Sequence, residues 1–206
     1  SMIIGMPNPL LTAREAGIFR SYKINGVPAF SILSIPALTT MLHVAVVSAV
    51  IIVTAPVLFD TSLPLSWAGF ALFFFLAVFA HAGFGLLISV ISSSIRTVVI
   101  WTQLIFIPSM MLGVMVRLDD LPDAFSRIAL VLPATQAMNV YRAIAQKQVT
   151  DFNPILSIII LLAGGILSFG LANYLFCWDS QNKTRRGNPA LALLAILPYV
   201  IGLFLL

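Results

Sequence analysis

Residues 103–142 read QLIFIPSMMLGVMVRLDDLPDAFSRIALVLPATQAMNVYR. The first half is an apolar helical stretch carrying a proline, Pro108, and two small residues, Ser109 and Gly113. Polar residues crowd into 117–123, and a second, amphipathic segment follows, punctuated by Pro122 and Pro133. Ile128, Ala129 and Leu132 fall on one side at helical spacing, while Asp123, Ser126 and Arg127 lie elsewhere. That pattern suits a helix lying at an interface or dipping into it. A plain spanning helix has no use for the second half. The stretch therefore predicts a span followed by an outer-face interfacial or re-entrant helical segment over 117–153.

Composition sets the surroundings. Hydrophobic residues make up 60% of the chain and charged residues 9%, and the mean hydropathy is +1.07. A soluble domain carries about a quarter charged residues, so this sequence belongs in a lipid bilayer. Apolar runs long enough to cross hydrocarbon, roughly twenty residues, occur at 29–59, 67–89, 97–116 and 154–176. The run 189–206, with Pro198 at its middle, is barely long enough to cross; it is either a further span or an interfacial helix. The expected fold is an all-α, polytopic transmembrane bundle forming one domain over 1–206. The net charge of +4 does not point to nucleic acid, because the basic residues sit mostly in short loops between spans. One cysteine, Cys177, excludes an intrachain disulfide. Residues 1–11 are too short to span, and no basic region precedes them as in a cleavable leader. The sequence reads as the C-terminal part of a longer protein.

Charge distribution predicts the orientation. With 12–27 inside, alternation places Arg14, Arg20, Lys23, Arg96, Lys183, Arg185 and Arg186 on the inner side. Arg117, Arg127, Arg142 and Lys147 fall outside, diluted by Asp60, Asp119, Asp120, Asp123 and Asp151. The excess of basic residues inside is the expected sense. A sequon at Asn182-Lys183-Thr184 lies in a loop that these charges place inside, where it reads as chance. Gly83, Gly85 and Ser89 suit close helix packing. His43, His81 and Gln103 are polar side chains at similar depth in three different spans. They either hold helices together or line the inner end of a substrate path.

The order Gln103, Pro108-Ser109, Gly113, Leu121-Pro122, Leu132-Pro133-Ala134-Thr135, Tyr141-Arg142 resembles a signature of the type 2 ATP-binding-cassette (ABC) transporter permeases. Permeases of that family also carry an inner-face helix with a Glu-x-Gly pattern that docks on an ATPase subunit. Arg14-Glu15-Ala16-Gly17, followed by Arg20 and Lys23, resembles it. Without the resemblance, 12–27 reads as a basic juxtamembrane anchor on anionic lipid. The resemblance covers roughly 12–176. It implies the last four of six spans in a half-transporter, with the run 189–206 as an addition. It also implies coupling through Arg14, Glu15, Gly17, Arg20 and Lys23, and an outer-face motif of Pro108, Gly113, Pro122, Pro133, Thr135 and Arg142.

The function that follows is the permease subunit of an ATP-driven exporter in a bacterial inner membrane. Its partners would be a separate ATPase subunit and a second permease copy or homologue. The sequence contains no phosphate-binding loop, so the chain itself is expected to bind no cofactor, ATP falling to the partner. It contains no metal-spaced His/Cys cluster and no nucleophile elbow, so it is not expected to be an enzyme. The reading from a different class is a membrane scaffold or assembly subunit that transports nothing.

Overall fold

The computed structural model describes residues 2–115, 121–150, 152–179 and 187–205. Most of the expected exit of the third span at 117–123, together with the basic loop holding Lys183, Arg185 and Arg186, lies outside the described residues. Among the described residues every regular element is helical. Four helices are long and apolar enough to cross a membrane.

The chain opens with two short helices, α1 (Met2–Gly5) and α2 (Pro7–Glu15). Met2, Ile3, Met6, Leu10 and Leu11 are buried. They pack against later spans and form part of the core. Helix α3 (Ile18–Ile24) follows after a break at Gly17, whose φ of +74° ends α2 in the left-handed region. Glycine is the residue that adopts that conformation without strain. The single expected helix over 12–27 is therefore an elbow of two pieces.

Helix α4 (Ala29–Phe59) is apolar on all sides. At about 1.5 Å per residue its 31 residues extend about 46 Å, more than a hydrocarbon core of about 30 Å. It buries only Ile32, Leu33 and Ala37, all near the elbow end. Its threonines turn their hydroxyls onto the helix's own carbonyls: Thr39 donates to Ile35 O at 2.9 Å and Thr40 to Pro36 O at 2.8 Å. That is how a hydroxyl is satisfied in an apolar setting.

Helix α5 (Trp67–Ile91) is the centre of the bundle, buried almost continuously from Ala80 to Val90. It starts at a Ser66 cap, with Gly69 N donating to Ser66 Oγ at 3.1 Å. Its main partner is α9 (Pro154–Leu175). The two approach through small residues: a Cβ on Gly83 would lie 2.9 Å from Ser168 Cβ. The ring of Phe79 fills the notch at Gly165 and stacks on Phe169 at 5.2 Å. Such close packing is the main source of helix association in lipid, where burying apolar surface gains little. Gly85 makes room for α1 instead, a Cβ there falling 3.1 Å from Met2 O.

Helix α6 (Ile95–Pro108) begins at Ser94, whose Oγ accepts from Thr97 N at 3.3 Å, two residues earlier than the apolar run suggests. Past Pro108 the backbone continues as a π-helix over Ser109–Met115. Proline removes a backbone donor, and wider turns commonly begin at such a point. The outer segment divides in two. Helix α7 (Asp123–Leu130) is largely exposed, with Ala129 buried. Helix α8 (Pro133–Val140) buries Pro133, Ala134, Thr135, Gln136, Ala137, Asn139 and Val140. A π-turn, Tyr141–Ala145, returns the chain to the start of α5, where Ser66 N donates to Ala145 O at 3.0 Å.

After the undescribed loop, a 3-10 helix, Pro189–Ile196, runs into α10 (Leu197–Leu205). Pro198 stands at the second position of α10, where its missing N–H breaks nothing. The run packs lengthwise on α9, Tyr199 in the notch of Gly164 and Gly202 against Ile160. It begins beside Leu87 and Trp101, and α10 reaches α7 at the opposite end of the bundle.

Candidate functional site

The elbow is the polar end of the bundle. From the cap of α2 onward, Met6, Leu10 and Arg14 recur at helical spacing on the buried side. Arg14 is accordingly 6% exposed. Its Nη1 donates to Val90 O at 3.1 Å and its Nη2 to Ser92 O. These carbonyls end α5, where the helix dipole is negative and backbone acceptors lack helical partners. Hydrogen bonds from a charged donor to such groups contribute about 1.5–3 kcal/mol each.

One turn on, Phe19 packs on Phe176 at 5.6 Å, and Phe176 on Trp178 at 5.1 Å. Arg20 Nε donates to Asp179 Oδ2 at 2.7 Å, and Nη2 pairs with the same oxygen. Arg20 is 56% exposed, so this pair adds only about 0–1 kcal/mol. The buried Arg14 bonds are the stronger attachment. Glu15, Ile18, Tyr22 and Lys23 face outward. The expected coupling set therefore divides: Glu15 and Lys23 are exposed, Arg20 ties the elbow to the end of α9, and Arg14 points into the protein. Gly17 serves as the turn.

The polar layer expected from His43, His81 and Gln103 is not assembled within this chain. His43 and Gln103 are exposed on the surface of the bundle. His81 alone lines a cavity of 260 Å³, together with Phe73, Ser109, Met110, Ala134 and Met138. Its Nδ1 lies 2.6 Å from Ala77 O. A carbonyl only accepts, so Nδ1 carries the proton and Nε2 is the nitrogen left for a ligand. A second cavity of 510 Å³ shares Phe73, Ala77, Val78 and Met138 with the first and continues between α4 and α5 towards Thr61, Ser62 and Tyr141. The walls are mostly apolar, so the cavities suit an apolar molecule or chain with few polar groups.

Sequence neighbours of the expected outer-face motif, Ser109, Val114, Ala134 and Tyr141, line these cavities. Pro108 ends the α-helical part of α6, and Gly113 lets the π-helix approach α8: a Cβ there would lie 3.0 Å from Thr135 N and from Thr135 Oγ1. Pro122 and Pro133 each start a helix. Arg142 sits half-buried in the π-turn beyond α8. Asn139 Nδ2, which the sequence reading passed over, donates to Ser157 Oγ at 3.0 Å and to Phe152 O at 3.1 Å, anchoring α8 to α9. Asp179 and the carbonyls of Val90 and Ser92 were equally invisible, since no local pattern marks a partner so far along the chain.

Four apolar spans, a clamped elbow at one end and the buried helix α8 at the other define an integral membrane component with a cavity between its spans. The family model for the ABC-2 family transporter protein matches residues 1–174. The chain belongs to that family. It is a transmembrane transporter subunit and, as a membrane transport component, is not itself catalytic. Searches of curated proteins and of solved structures found no match.

Proposed function

We propose that the chain is the permease subunit of an ATP-driven exporter, coupled to a separate ATPase through its elbow. The observation that carries this reading is the elbow itself. It exposes Glu15, Ile18, Tyr22 and Lys23 at the end of the bundle richest in basic residues, and it is fastened to the ends of both central helices, α5 and α9. A mere lipid anchor needs basic and apolar residues but no fastening to two spans. In this reading the elbow end is cytoplasmic, the membrane is the bacterial inner membrane, and ATP is bound by the partner alone.

A second permease copy would complete the path. His43 and Gln103, exposed on spans in the single chain, are costly in hydrocarbon, and a facing copy would cover them. The run 189–205 would be a further crossing. At about 2.0 Å per residue in its 3-10 part and about 1.5 Å in α10, it extends about 30 Å. The test is reconstitution of the chain with its ATPase in vesicles. ATP hydrolysis that the wild-type chain stimulates and Glu15→Lys does not would support coupling. Equal stimulation by both would sink the elbow's role.

A further inference from the structure

We propose that Arg14 is a positioning residue that transmits movement of the elbow to α5, acting from inside the bundle without touching the partner. This rests on the coupling reading above and adds the path by which a push on the elbow reaches the cavity.

Beyond the apolar packing of Met6, Leu10 and Leu11 on the later spans, the elbow is fastened at two places of different character. The contact with α9 runs through the exposed Arg20–Asp179 pair and the Phe19–Phe176 rings. The contact with α5 adds to its apolar packing a buried guanidinium that grips two carbonyls, of Val90 and Ser92, at the helix terminus. Only the second is directional, because a planar fork bonded to two acceptors fixes orientation as well as distance. Between Arg14 and the exposed Glu15 there is no flexible joint, since both lie in α2. The glycine break comes afterwards, at Gly17. A displacement felt at Glu15 is therefore carried by α2 into Arg14 and so into the end of α5.

The far part of α5 provides the output. Phe73, Ala77, Val78 and His81 form one wall of the cavities. The facing helix, α4, buries nothing beyond Ala37, so its distal part offers little resistance to a shift of α5. The α5–α9 pair is the tightly packed body, and α4 is the loose one. Moving α5 by its end thus changes the width of the cleft that lies between them.

The experiment uses the full chain with its ATPase in lipid nanodiscs, in a Cys177→Ser background carrying Phe73→Cys labelled with bimane, a polarity-sensitive fluorophore. Emission is compared between the nucleotide-free state and a state trapped with MgATP and vanadate, and bound ATPase is measured on the same samples. The wild-type Arg14 chain should show a nucleotide-dependent shift. Arg14→Leu should bind the ATPase normally and lose the shift. Arg14→Lys preserves the buried cation but not the two-point grip; it should bind normally with at least a twofold smaller shift, which keeps the test decisive if Arg14→Leu misfolds. Glu15→Lys should lose the ATPase itself. A full shift in either folded Arg14 variant overturns the inference while leaving coupling intact. Loss of ATPase binding by folded Arg14→Lys would also overturn it, by making Arg14 a docking residue. Failure of the wild-type chain to bind the ATPase would bring down the coupling reading and this inference together.

Discussion

Neighbouring residues in this chain are sorted by which way a helix turns. Glu15 is exposed and Arg14, next to it, is buried, so equal motif membership hides unlike roles. Glu15→Lys should leave stability within about 0.5 kcal/mol, the usual range at an exposed site, while transport is lost. Transport measured alongside membrane insertion separates the two, and normal transport by the variant would remove Glu15 from the coupling face. The burial of Arg14 was legible in principle, because Met6 and Leu10 precede it on one stripe. The motif Arg-Glu-Ala-Gly marks the charges and carries no sign of which side of the helix each takes. Gly164 is the opposite case: nothing in its own neighbourhood says that Tyr199 will fill its notch. A methyl group there would overlap the buried ring, and Gly164→Ala should cost about 1–3 kcal/mol, the usual penalty of overpacking. Tyr199→Phe should cost little or nothing, since the hydroxyl is buried without a hydrogen-bonding partner among the described residues. Denaturation of both variants in detergent gives the comparison.

Elements show where sequence patterning works and where it stops. The spans were readable to within a few residues because hydropathy over some twenty positions is a strong signal. Ser66 and Asn153 cap helix starts at the expected places, while Ser94 begins α6 slightly early. The burial of α8 was less readable. Its own residues, PATQAMNV, are not apolar enough to announce burial. They go inside because Gln136 donates to Leu130 O at 2.7 Å and Asn139 reaches α9. Gly113→Val should therefore push the π-helix away from Thr135 and disturb transport more than a change on exposed α7, such as Ala124→Val. A comparable loss for both would mean that the close approach at Gly113 is incidental. The C-terminal run misleads a residue count, because a 3-10 stretch covers more length per residue than an α-helix. If it crosses, a cysteine at Leu205 and one at Tyr22 should react with an impermeant thiol reagent from opposite sides of the membrane, with Cys177 removed. Labelling from one side would place 189–205 on a single face.

At the scale of the molecule, the arrangement joins a closely packed α5–α9 body to an elbow at one end and the buried helix α8 at the other, with α4 loosely alongside. His43, His81 and Gln103 illustrate what sequence could not supply. Equal depth in three spans was legible, but facing was not: among the described residues His81 looks into a cavity, while His43 and Gln103 are exposed. His81→Leu should therefore alter which molecules are carried, whereas His43→Leu and Gln103→Leu should act on association with a second copy. Crosslinking yield and transport selectivity, measured on the same three variants, would show whether that division holds. The central claim is that this membrane subunit is driven through its elbow by a separate ATPase. The most direct measurement is ATP hydrolysis in vesicles holding the purified chain and that ATPase, with the elbow intact or carrying Glu15→Lys. The account predicts a stable complex whose hydrolysis rises with the intact chain and falls to the level of the isolated ATPase with the variant. A folded wild-type chain that binds no ATPase, or equal stimulation with either elbow, would contradict it.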